Sequence, residues 1–357
     1  RGHEVRVQTA GMRHLPARET IGGVDVFRTH SFRRREDRCS VPEMGLFCAT
    51  SFRPTLRHCR EWKPEVIHAH FAMPTGLLAW AVHRQTGVPY VLTAHLGDVP
   101  GGVPEQTDRL FKLVNPMARK VWRQAAAATA VSSFVQELAE TAYGRKVTRI
   151  LNGVDMSDAP PPPASVAHPR RLIFIGRLNS QKCPVFLIKI LAGLEATDWR
   201  LALIGDGTLM DATRRHAEAL GVMSRIDFTG WLAGPEVQRR LADADLLMMP
   251  SSFEGLPVAA IEALKCGVAI AASDIPGVHD VVTDGFNGLR LPAGDKASWI
   301  AGVKSLLADE PRLLAMKKAS HHHARTFDLQ SIAVEYESVL ESAAGRPNAN
   351  LARPFPT

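Results

Sequence analysis

Short apolar runs punctuate this chain, separated by longer segments whose apolar residues return every three or four positions. Runs of that length bounded by turn residues predict buried strands, and the segments between them predict helices. In the first half the predicted strands are EVRVQT, PEVIHAHF, VPYVLTAH, AAATAVS and KVTRILNG. In the second they are RRLIFIG, WRLALIGDG, RIDFTGW, ADLLMMP and VAIAASD. This alternation predicts two doubly wound α/β sheets, in which ligands bind at the carboxyl ends of strands. Two such domains facing one another would leave a cleft between them. Asp158 to Pro169 reads DAPPPPASVAHP, whose consecutive prolines predict an extended linker. Near the end, Ile332, Tyr336, Val339 and Leu340 fall at helical spacing in a docking helix, followed by a tail. The opening RGHEVRV reads as the last turn of a helix, a glycine stop and a strand. The strand and Gly-rich loop expected before it are absent, so the chain reads as incomplete at its start, with a central strand of the first sheet removed.

The 357 residues exceed the usual single domain and suggest two of roughly 150 residues. Forty-five per cent apolar and 22% charged residues describe an ordinary globular protein. No apolar run approaches the roughly 20 residues of a membrane span. Cys39, Cys48, Cys59, Cys183 and Cys266 lack metal-type spacing, which fits reduced thiols in a cytoplasmic compartment. The net charge of +7 is uneven. Residues 1–165 carry 22 Lys and Arg against 15 Asp and Glu, and the remainder carries 21 against 21. The excess, including Arg33, Arg34 and Arg35, suits a solvated face, an anionic acceptor or the inner face of a membrane. Without aromatic interleaving or a nucleic-acid motif, no nucleic-acid partner is expected.

The chemistry concentrates in a few segments. In PSSFEGLPVAAIEALKCG a turn forced by Gly255 and Pro257 precedes a helix closed by Gly267. Glu254 then lies on the loop and Glu262 about two turns on, inside the helix. Carboxylates there suit sugar or ribose hydroxyls, because an ionised carboxylate only accepts hydrogen bonds. They equally suit the helix dipole and a solvated helix face. LIFIGRLNSQKCP ends a strand with Gly176, Arg177 and Lys182, a natural phosphate site or a pair of surface cations. Gly205, Asp206 and Gly207 form a strand-end turn open to close backbone approach, without a complete dinucleotide fingerprint. VLTAHLGD places His95 just past a strand, ahead of Gly97 and Asp98. His68 and His70 share one strand face, where packing or cleft lining is favoured over a metal pair. His321, His322 and His323 read as solvated.

Taken in order, IGRLNSQK, LIGDG, FTGW, PSSFEGLP, the Glu-x7-Glu pair, ILNGVD and TAH resemble family four of the retaining glycosyltransferases. The resemblance covers nearly the whole chain. It implies the GT-B architecture, two facing Rossmann-like domains: residues 1–157, a linker at 158–169, a nucleotide-sugar domain at 170–328, a helix at 329–345 packing back on the first domain, and a tail at 346–357. It implies that Arg177 and Lys182 bind the donor pyrophosphate, that Glu262 holds the ribose hydroxyls and that Glu254 stands beside the donor sugar. Gly255, Leu256 and Pro257 would offer backbone groups, His95 would face the donor sugar, and Asn152 and Gly153 match the family's NGVD segment. Departures are the missing first loop, Asp280 where glutamate is usual, and Leu96 where glycine often follows the histidine.

Such enzymes transfer a sugar from a nucleotide diphosphate sugar to a hydroxyl with retention, so the resemblance implies that chemistry in cell-surface polysaccharide or glycolipid synthesis. Its co-substrate would be of UDP or GDP type, with no further cofactor. Without an Asp-x-Asp motif at a strand end, no metal is expected. The acceptor is a hydroxyl compound, with a lipid-linked or anionic one left open. Two other readings remain: a nucleotide-sugar 2-epimerase of the same architecture, and a non-catalytic nucleotide-sugar-binding relative.

Overall fold

The computed structural model describes residues 1–12, 14–33, 39–195 and 197–345, without the side chains of 104–113. Arg34, Arg35 and the tail from residue 346 lie outside the described residues. The chain divides into two compact units. The first holds Arg1–Val131, Val135–Arg149 and the chain from Glu335; the second holds Ser132–Phe134 and Ile150–Val334.

In the first unit β1 (Arg6–Gly11), β2 (Arg18–Ile21) and β3 (Val24–His30) precede α1 (Val41–Trp62). Ser40 starts α1 through a capping box, its N–H and hydroxyl each donating to Glu43 at 2.7 Å. Then follow β4 (Ile67–His70), α2 (Leu77–Thr86), β5 (Tyr90–Ala94), α3 (Pro104–Gln124), β6 (Ala127–Ala130), α4 (Ser133–Tyr143) and β7 (Thr148–Arg149). The strands form two sheets, β1-β3-β2 and the all-parallel β4-β5-β6-β7, rather than the single sheet expected. Among the described residues no strand pairs with the outer edge of β1 or of β4. β5 is buried along its whole length, as a central parallel strand must be, and Tyr90 on it donates to the Val121 carbonyl at 2.5 Å. Residues 1–5 form no helical turn, correcting the reading of the opening. Instead Glu337 pairs with both Arg1 and His3.

The second unit contains β8 (Arg170–Ile175), α5 (Pro184–Ala192), β9 (Trp199–Ile204), α6 (Met210–Ala219), β10 (Ile226–Gly230), α7 (Gly234–Ala242), β11 (Leu246–Met249), α8 (Val258–Lys265), β12 (Ala269–Ser273) and β13 (Gly288–Leu291). Three helices close the chain: α9 (Lys296–Ala308), α10 (Glu310–His323) and α11 (Leu329–Ala343), the last running on into the first unit at Glu335. Its six strands are parallel in the order β10-β9-β8-β11-β12-β13. The chain winds outward from β8 in one direction and from β11 in the other, so the topological switch point lies between these two strands. Trp199, Trp299 and Phe174 anchor a core closed by both helix layers.

The proline stretch read as a linker belongs to this unit and is strapped to it. Lys265 pairs with Asp158, the Pro160 carbonyl meets His321 Nε2 at 2.9 Å, and Pro163 packs against Gly267. His321 and His323 are therefore half-buried rather than solvated, the latter edge-on to Phe327 and lowered in pKa by burial. Among the described residues no helix is long and apolar enough to cross a membrane.

Candidate active site

The two strands that flank the switch point of the second unit end in the two segments singled out from sequence. After β8 the backbone passes through Gly176 and Arg177 and bends back at Asn179, whose side chain accepts from the Lys182 N–H at 3.1 Å. After β11 it passes through Ser251 to Pro257 and enters α8. These loops are stitched together. Gln181 donates from Nε2 to the Phe253 carbonyl at 3.0 Å, and Ser252 N–H donates to the Gln181 carbonyl at 2.8 Å. Lys182 Nζ, its side chain 15% exposed, donates to Glu254 Oε1 at 2.6 Å, the glutamate side chain being 7% exposed. A pair this dry exchanges hydration for a direct bond, so removal of either partner strands a charge.

The turn after β9 completes the arrangement. Gly205 adopts φ +127, and a Cβ there would overlap the Gly176 carbonyl oxygen. Only glycine permits that conformation at that approach. Gly205 N–H donates to the Gly230 carbonyl at 2.8 Å and Leu178 N–H to the Asp206 carbonyl at 2.9 Å, while the exposed Asp206 side chain accepts from Gly207 N–H at 2.6 Å. Gly176 in turn lies against the methylene stem of Lys182. Contacts therefore run unbroken from Gly205 through Gly176 to Lys182 and Glu254, with Gly207 packed on Leu178 of the same loop. Behind Glu254, the close packing of its carbonyl on Gly277 leaves no room for a side chain at that glycine.

Arg177 is exposed on the same loop. Gly255 is half-buried, and Leu256 and Pro257 are buried at the entry to α8. Glu262, on α8, stands apart from the contact chain. Its carboxylate is half-buried, without a hydrogen bond or ion pair among the described residues, and burial raises its pKa against the opposing pull of Lys265. Sequence reading singled out the chemistry-bearing residues but missed Gln181, Ser252 and Gly277, which fasten the loops. Of these, the serine and the glutamine stand inside the recognised motifs, and Gly277 lies three residues before Asp280 in a segment read only for that departure. Asn152 and Gly153 precede Val154, which bridges to Asp328, and Gly153 packs against Leu329 at the start of α11.

His95 belongs to the first unit and is held by that unit's own residues. Its N–H donates to Asp98 Oδ1 at 2.9 Å, and the same buried carboxylate accepts from Leu96 N–H at 3.2 Å and Ala72 N–H at 2.8 Å. Burial pushes the Asp98 carboxyl up in pKa while those three donors pull it down. Burial lowers His95 to about 4 and His68 to about 3, so both rings are neutral at pH 7. Of the two strand histidines, His68 is turned to packing, its Nε2 meeting Thr93 Oγ1 at 2.7 Å. Among the described residues the one cluster with metal-ligand spacing is His3, Glu337 and Glu341, where Arg1 already occupies Glu337.

Comparison with known proteins agrees with this geometry. The family described as "Glycosyltransferase Family 4" matches residues 1–158 and that described as "Glycosyl transferases group 1" matches residues 157–323. A D-inositol 3-phosphate glycosyltransferase of Segniliparus rotundus is 28% identical over 335 residues, covering 85% of this chain and 73% of the relative. One from Xylanimonas cellulosilytica is 28% identical over 347 residues, covering 87% and 79%. Among solved structures, sucrose-phosphate synthase from Thermosynechococcus elongatus superposes with a TM-score of 0.80 at 18% identity, over 96% of this chain and 89% of that one. Anabaena HepE, solved with UDP and glucose, superposes with a TM-score of 0.73 at 19% identity, over 89% and 86%. The fold is accordingly GT-B, with two Rossmann-like units. Matched by the two family profiles in succession from residue 1 to residue 323, the chain belongs to glycosyltransferase family 4 and is a glycosyltransferase.

Proposed function

We propose that the protein moves a sugar from a nucleotide diphosphate sugar to a hydroxyl acceptor with retention at the anomeric carbon, without a metal. The observation that carries this reading is the buried Lys182–Glu254 pair at the switch point, beside the glycine turn of Gly205 and Gly207. Arg177 and Lys182 bind the diphosphate and neutralise charge growing on the leaving phosphate, where preorganised cations help most. Glu262, with a carboxylate not engaged elsewhere among the described residues, accepts from ribose hydroxyls. Glu254, ion-paired to Lys182, is a poor glycosidase-type nucleophile. Front-face attack fits better: the bond from the anomeric carbon to the β-phosphate oxygen breaks, the acceptor oxygen bonds on the same face, and its proton passes to the leaving phosphate. The family resemblance alone assigns His95 to the donor sugar. Cations in place of a divalent ion make turnover independent of metal, and loss of turnover on adding a chelator would count against that.

The acceptor is read as anionic, in polysaccharide or glycolipid synthesis. Relatives bear the name D-inositol 3-phosphate glycosyltransferase, and the first half of this chain holds the whole +7 excess. Thermal melting with UDP, GDP, ADP and their sugars tests the donor site, since a ligand bound only to the folded form raises Tm by mass action. One nucleotide class is expected to raise Tm by several degrees, and Lys182→Ala to abolish the shift. A cooperative melt unmoved by every nucleotide would sink the reading. Conversion of the donor without an acceptor would favour a 2-epimerase instead.

A further inference from the structure

Three histidines crowd the strand ends of the first unit, and only His95 has a part in the reading above. β4 and β5 run parallel with His70 paired to Thr93, so the last residue of β4 lies level with the residue two before His95. Across that step His70 Nδ1 and His95 Nε2 stand 3.1 Å apart. Phe71 follows at φ 69, its N–H donating to the Thr93 carbonyl at 2.9 Å, and lays its ring over His95 with centroids 4.4 Å apart and planes 31° apart. A bulky residue at positive φ is strained backbone, of the kind that clusters where position matters. The His95 ring is thus held at one nitrogen and on one face, while the backbone N–H of the same residue is held by Asp98. His68, whose ring lies 4.4 Å from that of His70, is turned to Thr93 and takes no part in the grip.

We propose that His70 is a positioning residue that fixes the tautomer and ring plane of His95. This rests on the reading of His95 as a donor-facing group. Two imidazole nitrogens at hydrogen-bond distance share one proton, so the partner at Nε2 decides whether the other nitrogen, Nδ1, donates or accepts. Neutral imidazole intrinsically prefers the proton on Nε2. With both rings in that form, His95 Nε2–H donates to His70 Nδ1, and His95 Nδ1 is left as a lone-pair acceptor for a sugar hydroxyl. The groups facing the pair are His68, Asp98 and the Phe71 ring. Two imidazolium ions at this separation would repel, and burial and the neighbouring ring lower the pKa of His70 as burial lowers that of His95.

The test is ¹⁵N imidazole NMR of the whole chain, alone and then with kinetics. In the wild type, His95 is expected to show the Nε2–H tautomer with an unprotonated Nδ1. His70→Asn puts an amide oxygen near the old Nδ1 position and is expected to keep that signature. His70→Leu keeps bulk without an acceptor and is expected to give a mixture of tautomers. With a nucleotide sugar, His70→Leu should lower kcat about tenfold at a KM within about twofold, and His70→Asn should recover most of the loss. A His95 spectrum unchanged in a folded His70→Leu, or a protonated Nδ1 in the wild type, overturns the proposal. Absence of turnover by the wild type would instead sink the transferase reading, and the spectra would still decide the role of His70.

Discussion

Both units of this protein end parallel strands in polar loops, yet the two loop clusters solve opposite electrostatic problems. The second unit buries charge: Lys182 and Glu254 sit almost out of water at 2.6 Å. The first unit buries neutral rings and hydroxyls, His68 against Thr93 and Thr93 against Thr129 at 2.7 Å, and its buried Asp98 carboxyl is held by backbone N–H groups rather than by a cation. A diphosphate demands fixed positive charge, which survives burial only with a carboxylate partner. A sugar hydroxyl demands acceptors and donors that hold still, and neutral imidazoles supply them without a counter-ion. The difference in chemistry is therefore the difference in what each loop cluster would touch under the proposed function.

The sharpest way to break this comparison lies inside the second unit, which holds another buried pair. Lys317 Nζ donates to Asp245 Oδ1 at 2.6 Å, and Asp245 also accepts from Ala167 N–H and Arg171 N–H at the foot of β8. Breaking either pair leaves a buried charge and is expected to cost about 3 kcal/mol of stability, measured by denaturant unfolding. Only Lys182→Ala should also depress transfer, by about a hundredfold. Asp245→Asn should unfold more easily while the surviving folded protein binds nucleotide as before. If the two variants lost nucleotide binding equally, the Lys182 pair would be no more than structural.

A smaller effect separates the two loop clusters by their glycines. Gly205→Ala forces a side chain into φ +127 against the Gly176 carbonyl and should cost about 2 kcal/mol while weakening nucleotide binding. Gly97, beside His95, has ordinary φ and open space within 4 Å of where a methyl group would sit. Gly97→Ala should therefore stay within about 0.5 kcal/mol of the wild type. Melting curves of the two variants decide it.

Much of the second unit is legible in the sequence because its chemistry is local. The turn after β9 and the Glu254 loop each follow an apolar run within a few residues, so strand-end placement of Arg177, Lys182 and Glu254 can be read directly. What cannot be read depends on partners far along the chain. β2 and β3 are the exception, joined locally by the Gly22-Gly23 turn between Ile21 and Val24, but their half-buried ribbon carries Arg18, Glu19, Thr20, Asp25, Arg28 and Thr29 and shows no continuous apolar run. β13 begins at Gly288 and is too short to display a period. His321 reads as solvated because its partner, the Pro160 carbonyl, is 161 positions away. The contact of His70 with His95 spans 25 positions and exists only through the register of β4 on β5. Pairing across a sheet is a tertiary fact, and periodicity along one strand does not contain it.

A further expected effect concerns the neutrality of the first unit's histidines. Burial holds His68 at about 3 and His95 at about 4, against roughly 6.5 in an unfolded chain. Between those values the unfolded state binds more protons, so stability rises with pH there. It is fully present above about pH 6.5 and is lost as pH falls towards 4. Asp98, raised by burial, contributes with the opposite slope. Since His95 is only half-buried, solvent screening reduces its share, and a net loss on the order of 2 kcal/mol between pH 7 and pH 5 is expected for the first unit. His68→Gln keeps a donor near Thr93 without a titrating ring and should flatten that loss by about half. Denaturant unfolding at the two pH values measures it. Equal slopes in variant and wild type would mean that His68 takes up its proton in the folded state as readily as in the unfolded one, and that the first unit's loop cluster is not the neutral counterpart of the second's.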